Sequence, residues 1–372
     1  MSAGPRTGTQ VANGARLKIS CFVLRRFESC PVHSTFSAPR GRRLVGVLVR
    51  YGEIGVKSPP VRRQMEARLR QNLEDALLRR RIEGHVATLG PRLWMTGPDD
   101  VAMLDVATHT FGVVSASRMQ LVGASMAEIG AAAAHLALQR PWTRFAVRAS
   151  RSGQHDFSSQ DIGVQVGSAI FTAAADAGRQ PVVDLDTPEL EVLVEVREDR
   201  AYVGFEKVAG PGGLPAGSQG TVVALLSDRA SAVAAWLMMR RGCRVIALHA
   251  GDMGSAPLPL LEPLWRWGLP ADVELLPVCS GSVGKDTLLA AAAAVARQHG
   301  AEALVTGDTL DSTLIAPPDT VVLRPVCGLE PDELERIAAT IGLGDEETPR
   351  ILAADSSETI ESLLSMRRTV SA

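Results

Sequence analysis

The chain has 372 residues, 46% hydrophobic and 22% charged, with 4% aromatics and a formal net charge of −2. That length asks for two or three domains with cores of Ala, Val and Leu. No apolar run reaches the ~18 residues that a membrane-crossing helix needs. Five cysteines (Cys21, Cys30, Cys243, Cys279 and Cys327) are odd in number and contain no CxxC pair. This argues against a disulfide framework or a structural zinc site, and for a reducing, cytoplasmic setting.

Residues 1–210 carry a net +6 and residues 211–372 a net −8. A polyanion would therefore be held by the first half. The excess comes from residues 1–43, which hold 8 Lys+Arg against one Glu. This stretch is poor in acid and has no sustained periodicity. It reads as a disordered tail, an organellar transit segment, or translated sequence ahead of the true start.

From Leu44 the elements are legible in order. Leu44–Arg50 is a buried strand, followed by a turn at Gly52 and Gly55. A helix then opens at Pro59-Pro60, with Met65, Leu69, Leu73, Leu77 and Leu78 as its apolar stripe. Arg62, Arg63, Arg68, Arg70 and Arg79–Arg81 fall on the other face, either solvated or against a nucleic-acid backbone. Arg92–Met95, Val113–Met119 and Arg144–Ser150 read as strands, and Asp100–His109, Met126–Ala137 and Ser159–Ala175 as helices. Leu190–Asp199 and Ala201–Val208 form a hairpin, and a Gly/Pro-rich linker fills residues 210–220.

Beyond the linker, strand Thr221–Leu226, turn Ser227–Arg229, helix Ser231–Arg241 and strand Arg244–His249 make a βαβ unit of a parallel sheet. In such sheets the first strand-to-helix loop is the usual phosphate cradle. Residues 252–270 are rich in Pro, Leu and Trp, and Trp265 and Trp267 read as core or interface. Strand Asp272–Val278, loop Cys279–Thr287 and helix Leu288–His299 form a second such unit. A strand at Ala303–Leu310 and a strand with a terminal helix at Val321–Leu343 follow.

Four stretches together resemble the tRNA 4-thiouridine sulfurtransferases, a family also tied to thiamine biosynthesis. They are Arg50-Tyr51-Gly52-Glu53-Ile54 with Lys57 ahead of a basic helix, Gly210–Gly220, Val305-Thr306-Gly307-Asp308, and Leu323-Arg324-Pro325. Phe145–Arg148, Phe157–Ser159 and Val194–Val196 resemble a THUMP domain, an RNA-binding module of tRNA-modifying enzymes. The resemblance covers roughly residues 44–343. It implies a ferredoxin-like domain (44–99), a THUMP domain (100–209), a linker (210–220), a Rossmann-like pyrophosphatase-loop α/β domain (221–350) and a tail (351–372). The resemblance also implies tRNA as partner, with contacts expected from Arg50, Lys57, Arg62, Arg63, Arg148 and Arg151. A homodimer is left open.

Family members adenylate a uridine oxygen with ATP and Mg²⁺ and replace it with sulfur from a persulfide carried by a donor protein. The ATP positions carried over are Leu225, Leu226, Ser227, Ser231, His249 and Gly307. The family loop S-G-G-x-D-S lets backbone N–H groups reach the pyrophosphate. Here it reads Ser227-Asp228-Arg229-Ala230-Ser231, one residue shorter and without glycine. Residues after Gly307 lack the family's two glutamines, Lys285–Ala290 replaces an Arg/Met-rich run, and Pro349–Asp355 lacks the reactive cysteine.

Two expectations follow. In the first, the chain binds tRNA but is catalytically impaired and needs no cofactor. In the second, it is an active ATP- and Mg²⁺-dependent sulfurtransferase with a displaced site at Cys279–Thr287. There Ser280, Gly281, Lys285 and Thr287 would hold phosphate, and Cys279, beside Lys285 and a helix start, is the candidate nucleophile. The bland reading of that loop is a solvated turn with a buried thiol. A small-molecule nucleotide enzyme with no RNA role is a third class. No metal ligands are expected from side chains.

Overall fold

The computed structural model describes residues 44–251, 258–270, 272–277, 285–310, 316–344, 360–365 and 367–371. The first half is built on one nine-stranded sheet. Its strands are β1 (Leu44–Tyr51), β2 (His85–Leu89), β3 (Arg92–Thr96), β4 (Val113–Gly123), β5 (Arg144–Ser152), β6 (Val182–Val183), β7 (Leu190–Arg197), β8 (Arg200–Gly204) and β9 (Val208–Ala209). Their order is β2-β3-β1-β4-β8-β7-β5-β6, with β9 on β4. Helices α1 (Pro59–Arg79) and α2 (Asp100–Thr108) cover one end, and α3 (Met126–Leu138) and α4 (Ser159–Asp176) the other.

The long strand β4 joins the two ends. Its first part pairs β1 over Val113–Leu121, and its last residues pair β8 over Met119–Gly123. Met103, Val106 and Ala107 of α2 pack in the same core as Leu69 and Leu73 of α1. The boundary expected between residues 99 and 100 therefore falls inside the first core, and the division lies along β4. On α1, Met65, Leu69, Leu73 and Leu77 are buried as expected, whereas Leu78 is 77% exposed. A stripe with 3.6-residue period cannot hold both Leu77 and Leu78.

A second sheet is formed by β10 (Gln219–Leu226), β11 (Cys243–Gly251), β12 (Asp272–Pro277), β13 (Ala303–Val305), β14 (Val322–Leu323) and β15 (Arg368–Ser371), in the order β14-β13-β10-β11-β12-β15. All its pairings are parallel except β12 with β15. Helices α5 (Arg229–Arg240), α6 (Leu258–Arg266) and α8 (Pro331–Ile341) cover one face, with α7 (Lys285–Gln298) and α9 (Ile360–Ser365) on the other. Val222, Ala224 and Leu226 of β10 face the first group, and Val223 and Leu225 face the second. A strand buried on both faces is why β10 reads as an unbroken apolar run.

The Pro-, Leu- and Trp-rich stretch 252–270, to which the sequence assigned no element, contains α6, which runs through Pro263. The stretch expected as a tail contributes α9 and β15. β15 places Thr369 Oγ1 3.1 Å from Glu274 on β12, and Arg367 just before it lies 3.5 Å from the same carboxylate. Trp267 is an interface residue. Its ring lies 5.4 Å from Trp236 and 5.9 Å from Phe111, and its indole N–H donates to the Ile341 carbonyl at 3.1 Å. Arg266 on Asp105 (2.7 Å) and Asn72 on the Ala216 carbonyl (3.0 Å) tie α1 and α2 to the second sheet. No described helix is long and apolar enough to cross a membrane.

Candidate functional site

β10 delivers the chain into a two-residue turn, Ser227-Asp228, from which α5 starts. Such a helix start has N–H groups without intrahelical partners, and these are the donors a phosphate would take. Here the chain supplies its own acceptors. Asp228 is the N-cap, and its Oδ1 accepts from the Ser231 N–H at 2.8 Å. Ser231 Oγ accepts from the Ser227 and Asp228 N–H groups, each at 2.9 Å, and donates to the Asp228 carbonyl at 2.6 Å. This is a reciprocal capping box, and Ser231 within it is 1% exposed. α5 thus begins two residues before the expected Ser231, because Asp228 caps it.

Gly307, after β13, lies flat against this turn. A Cβ there would penetrate the Ser231 amide and come within 2.7 Å of the Ala230 carbonyl carbon. Behind it, Thr306 donates to Asp308 at 2.6 Å, and the Arg324 guanidinium approaches the same carboxylate at 3.8 Å. His249 ends up beside Leu226 because β11 pairs β10 in that register. Its Nδ1–H donates to the Leu226 carbonyl at 2.8 Å, and burial holds the ring below the usual histidine range, so it is neutral at pH 7. Leu226, Ser227, Ser231, His249 and Gly307 are therefore brought together. Leu225 points to the other face, beneath α7.

Cys279, Ser280 and Gly281 lie outside the described residues, as does the side chain of Lys285; Thr287 is half-buried in the first turn of α7. The described thiols, Cys243 and Cys327, are free. Burial and Glu302 push the Cys243 thiol up. It stands at the opposite end of β11 from His249, about 20 Å away at ~3.3 Å per residue. Among the described residues no cluster of three or more His, Cys, Asp or Glu is placed to hold a metal.

The expected RNA-facing cations divide. Lys57, Arg63, Arg148 and Arg151 are exposed, and Arg62 is half-buried, 3.9 Å from Glu66. Arg50 is withdrawn from that group: it is 7% exposed and ion-paired with Glu195 of β7, with Ser117 Oγ at 2.8 Å. Arg92 and Arg197 reach the same carboxylate at 3.4 and 3.5 Å. Burial alone would raise Glu195, but the three guanidinium groups outweigh it and hold the carboxyl below its ordinary range.

Arg148 meets Glu191 at 2.7 Å and the Leu185 carbonyl at 2.6 Å, on the rim of a groove of about 920 Å³ between α4 and β5. Val147, Phe171 and Leu185 line it, and Gly163 and Gly167 give it a floor of bare helix backbone. A Cβ at either glycine would meet nothing within 4 Å.

The architecture is thus a nine-stranded sheet carrying an open groove, followed by a largely parallel α/β domain with a strand-turn-helix unit at β10–α5. Family models match in the same order: the ThiI ferredoxin-like domain at residues 46–117, the THUMP domain at 123–206, and the thiamine biosynthesis protein (ThiI) at 217–257. A probable tRNA sulfurtransferase of Methanothermobacter thermautotrophicus is 32% identical over 343 residues, covering 80% of this chain and 85% of that protein. The chain belongs to the tRNA sulfurtransferase family.

A probable tRNA sulfurtransferase of Halobacterium salinarum is 42% identical over 213 residues, which is 56% of this chain and 54% of that protein, so the match spans about half of that relative. The fold matches that of a 4-thiouridine synthetase solved as an RNA complex with bound ATP. The TM-score is 0.71 at 20% identity, over 88% of this chain and 99% of that one.

Proposed function

We propose that this chain is a tRNA-binding member of the family whose ATP-dependent thiolation is impaired. The observation that carries the reading is the closed turn at α5. The N–H groups of Ser227, Asp228 and Ser231 are all taken by Asp228 and Ser231 side chains. A bound pyrophosphate would have to break these bonds and would meet the Asp228 carboxylate. Hydrogen bonds to a charged group contribute roughly 1.5–3 kcal/mol each, so losing them weakens ATP by orders of magnitude. On the RNA side, the reading is supported by the α4–β5 groove with Arg148 at its rim, Arg151 nearby, and the exposed Lys57 and Arg63. Single-stranded RNA is held by such combinations of cations and apolar or stacking surfaces.

Calorimetric titration of the full chain with ATP·Mg²⁺, with and without unmodified tRNA, tests this. The expected result is saturable tRNA binding and no heat from ATP. Micromolar ATP binding that disappears in Lys285→Ala would move the phosphate site to the Cys279–Thr287 loop and restore the active reading, with ATP, Mg²⁺ and a sulfur-donor protein.

A further inference from the structure

A second cleft, of about 950 Å³, lies beside the C-terminal half of α5, where none of the expected site residues falls. Its wall is apolar, with Leu214, Leu237, Met238 and Leu329, while Arg240 and Arg241 stand at the end of the helix. Neither arginine has an acidic partner among the described residues, and both are exposed. Arg324 adds a third guanidinium, set against Asp308, and Glu53 is the carboxylate among the lining residues.

Three features mark these cations as placed. Residues 211–372 carry a net −8, yet Arg240, Arg241 and Arg244 fall within five positions of one another. The linker that closes the cleft, residues 210–220, contains no charged side chain to neutralise them. That linker is also held tightly. The Leu214 N–H donates to the Arg240 carbonyl at 3.0 Å, and Gly213 (φ 70°) lies so close that a Cβ would collide with the same oxygen. Arg68 of α1 lies against the next turn of the linker, 3.9 Å from the position of a Cβ on Gly217.

The volume is that of a small-ligand site, ~300–1,000 Å³, and too small for a duplex. An apolar wall under exposed guanidinium groups suits a flat, weakly polar base joined to a phosphate. We infer that this cleft takes an unpaired nucleotide of the RNA, with its base against Leu237, Met238 and Leu329 and its phosphates on Arg240 and Arg241. The inference rests on the RNA-binding reading and extends the RNA footprint from α1 across the linker onto the second domain.

The test uses the full chain and a fluorescent tRNA transcript, followed by anisotropy between ~50 and ~300 mM salt. In Arg240→Gln/Arg241→Gln the dissociation constant should rise on the order of tenfold. The slope of log affinity against log salt should shrink by about 1.4, at ~0.7 per single-strand phosphate contact. Arg297→Gln, on the opposite face of the second sheet, should change neither by a comparable amount. Met238→Glu, which leaves every guanidinium in place, should weaken tRNA as well, with its far-UV spectrum and melting curve unchanged. Wild-type affinity and slope in the double variant would overturn the inference while leaving tRNA binding standing. Absence of saturable tRNA binding by the wild type would overturn both. Saturable uridine monophosphate binding that is lost in the double variant, with tRNA affinity unaltered, would assign the cleft to a free nucleotide and also overturn it.

Discussion

Helices α4 and α5 begin alike and end up with opposite capacities. Each opens with a reciprocal capping box, Ser158 with Asp161 on α4 and Asp228 with Ser231 on α5, the acid and the hydroxyl having exchanged places. On α4 the box is exposed at the surface, and the groove beside it is made by glycines further along the helix. On α5 the hydroxyl is buried and takes two turn N–H groups, while the carboxylate takes the third. The lesson is that a cap stabilises a helix with the same donors a phosphate needs. A helix start can be well capped or available for phosphate, and α5 is capped.

The largest effect is expected at the joint between the two ends of the first sheet. Glu195→Gln leaves Arg50 buried without a counter-charge, which costs about 3–5 kcal/mol when a buried pair is broken; urea melts would measure it. The pH dependence supplies the sign. The folded-state pKa of Glu195 is depressed, so its stabilisation is complete above the ordinary carboxylate pKa of about 4.3 and is lost as pH falls through the lower folded value. Glu195→Gln should flatten that acid limb. An unchanged limb would place the acid sensitivity elsewhere.

Glycine substitutions sharpen the contrast directly. Gly307→Ala forces a methyl into the Ser231 backbone and should destabilise by roughly 1–3 kcal/mol. Gly167→Ala meets open space in a helix and should stabilise by about 0.5–1 kcal/mol. Gly167→Leu should keep that fold and lower tRNA affinity by filling the groove. Equal effects of the two alanine variants on thermal melts would erase the distinction drawn between these helices.

Capping itself gives a smaller difference. Ser158→Ala and Asp228→Ala each remove a cap, worth about 0.5–2 kcal/mol. Asp228→Ala should lie toward the upper end, because it leaves the largely buried Ser231 amide without its acceptor. The same variant should leave ATP binding weak, since Ser231 still occupies the other two donors. Strong ATP binding by Asp228→Ala would show that the carboxylate alone closes the site.

The smallest effect is a histidine one. Burial lowers the His249 pKa, so below the ordinary value of about 6.5 the unfolded chain takes up a proton that the folded chain does not. Stability should fall as pH drops through that window, and His249→Gln should remove that component from the pH–stability curve.

Most of the architecture was legible before folding, because its signals are local. The 3.6-residue stripe of Met65, Leu69, Leu73 and Leu77, the doubly apolar run of β10 and the turn after it each depend on neighbours a few residues away. Shorter or atypical elements escaped. β2 buries only Val86, α6 carries Pro263 inside it, and β15 exists because an edge strand, β12, offers it a partner. The departures from the family loop at Ser227–Ser231 were plain in the residues. Their consequence, that three donors are satisfied internally, was not, although an Asp three residues before a Ser is the signal to look for.

Residue order alone sets the family, the order of its domains and the absence of glycine from the phosphate turn. Tertiary structure decided which charges are available. Arg50 reads as a surface cation beside Lys57, yet the strand order β1-β4-β8-β7 carries Glu195, 145 positions away, onto it and closes both from solvent. Arg240 and Arg241 read as an ordinary helix end, yet the uncharged linker that packs beside them leaves them open over an apolar cleft. Local patterns fix dihedral angles and faces. Whether a guanidinium is neutralised depends on which distant carboxylate the fold brings within about 4 Å.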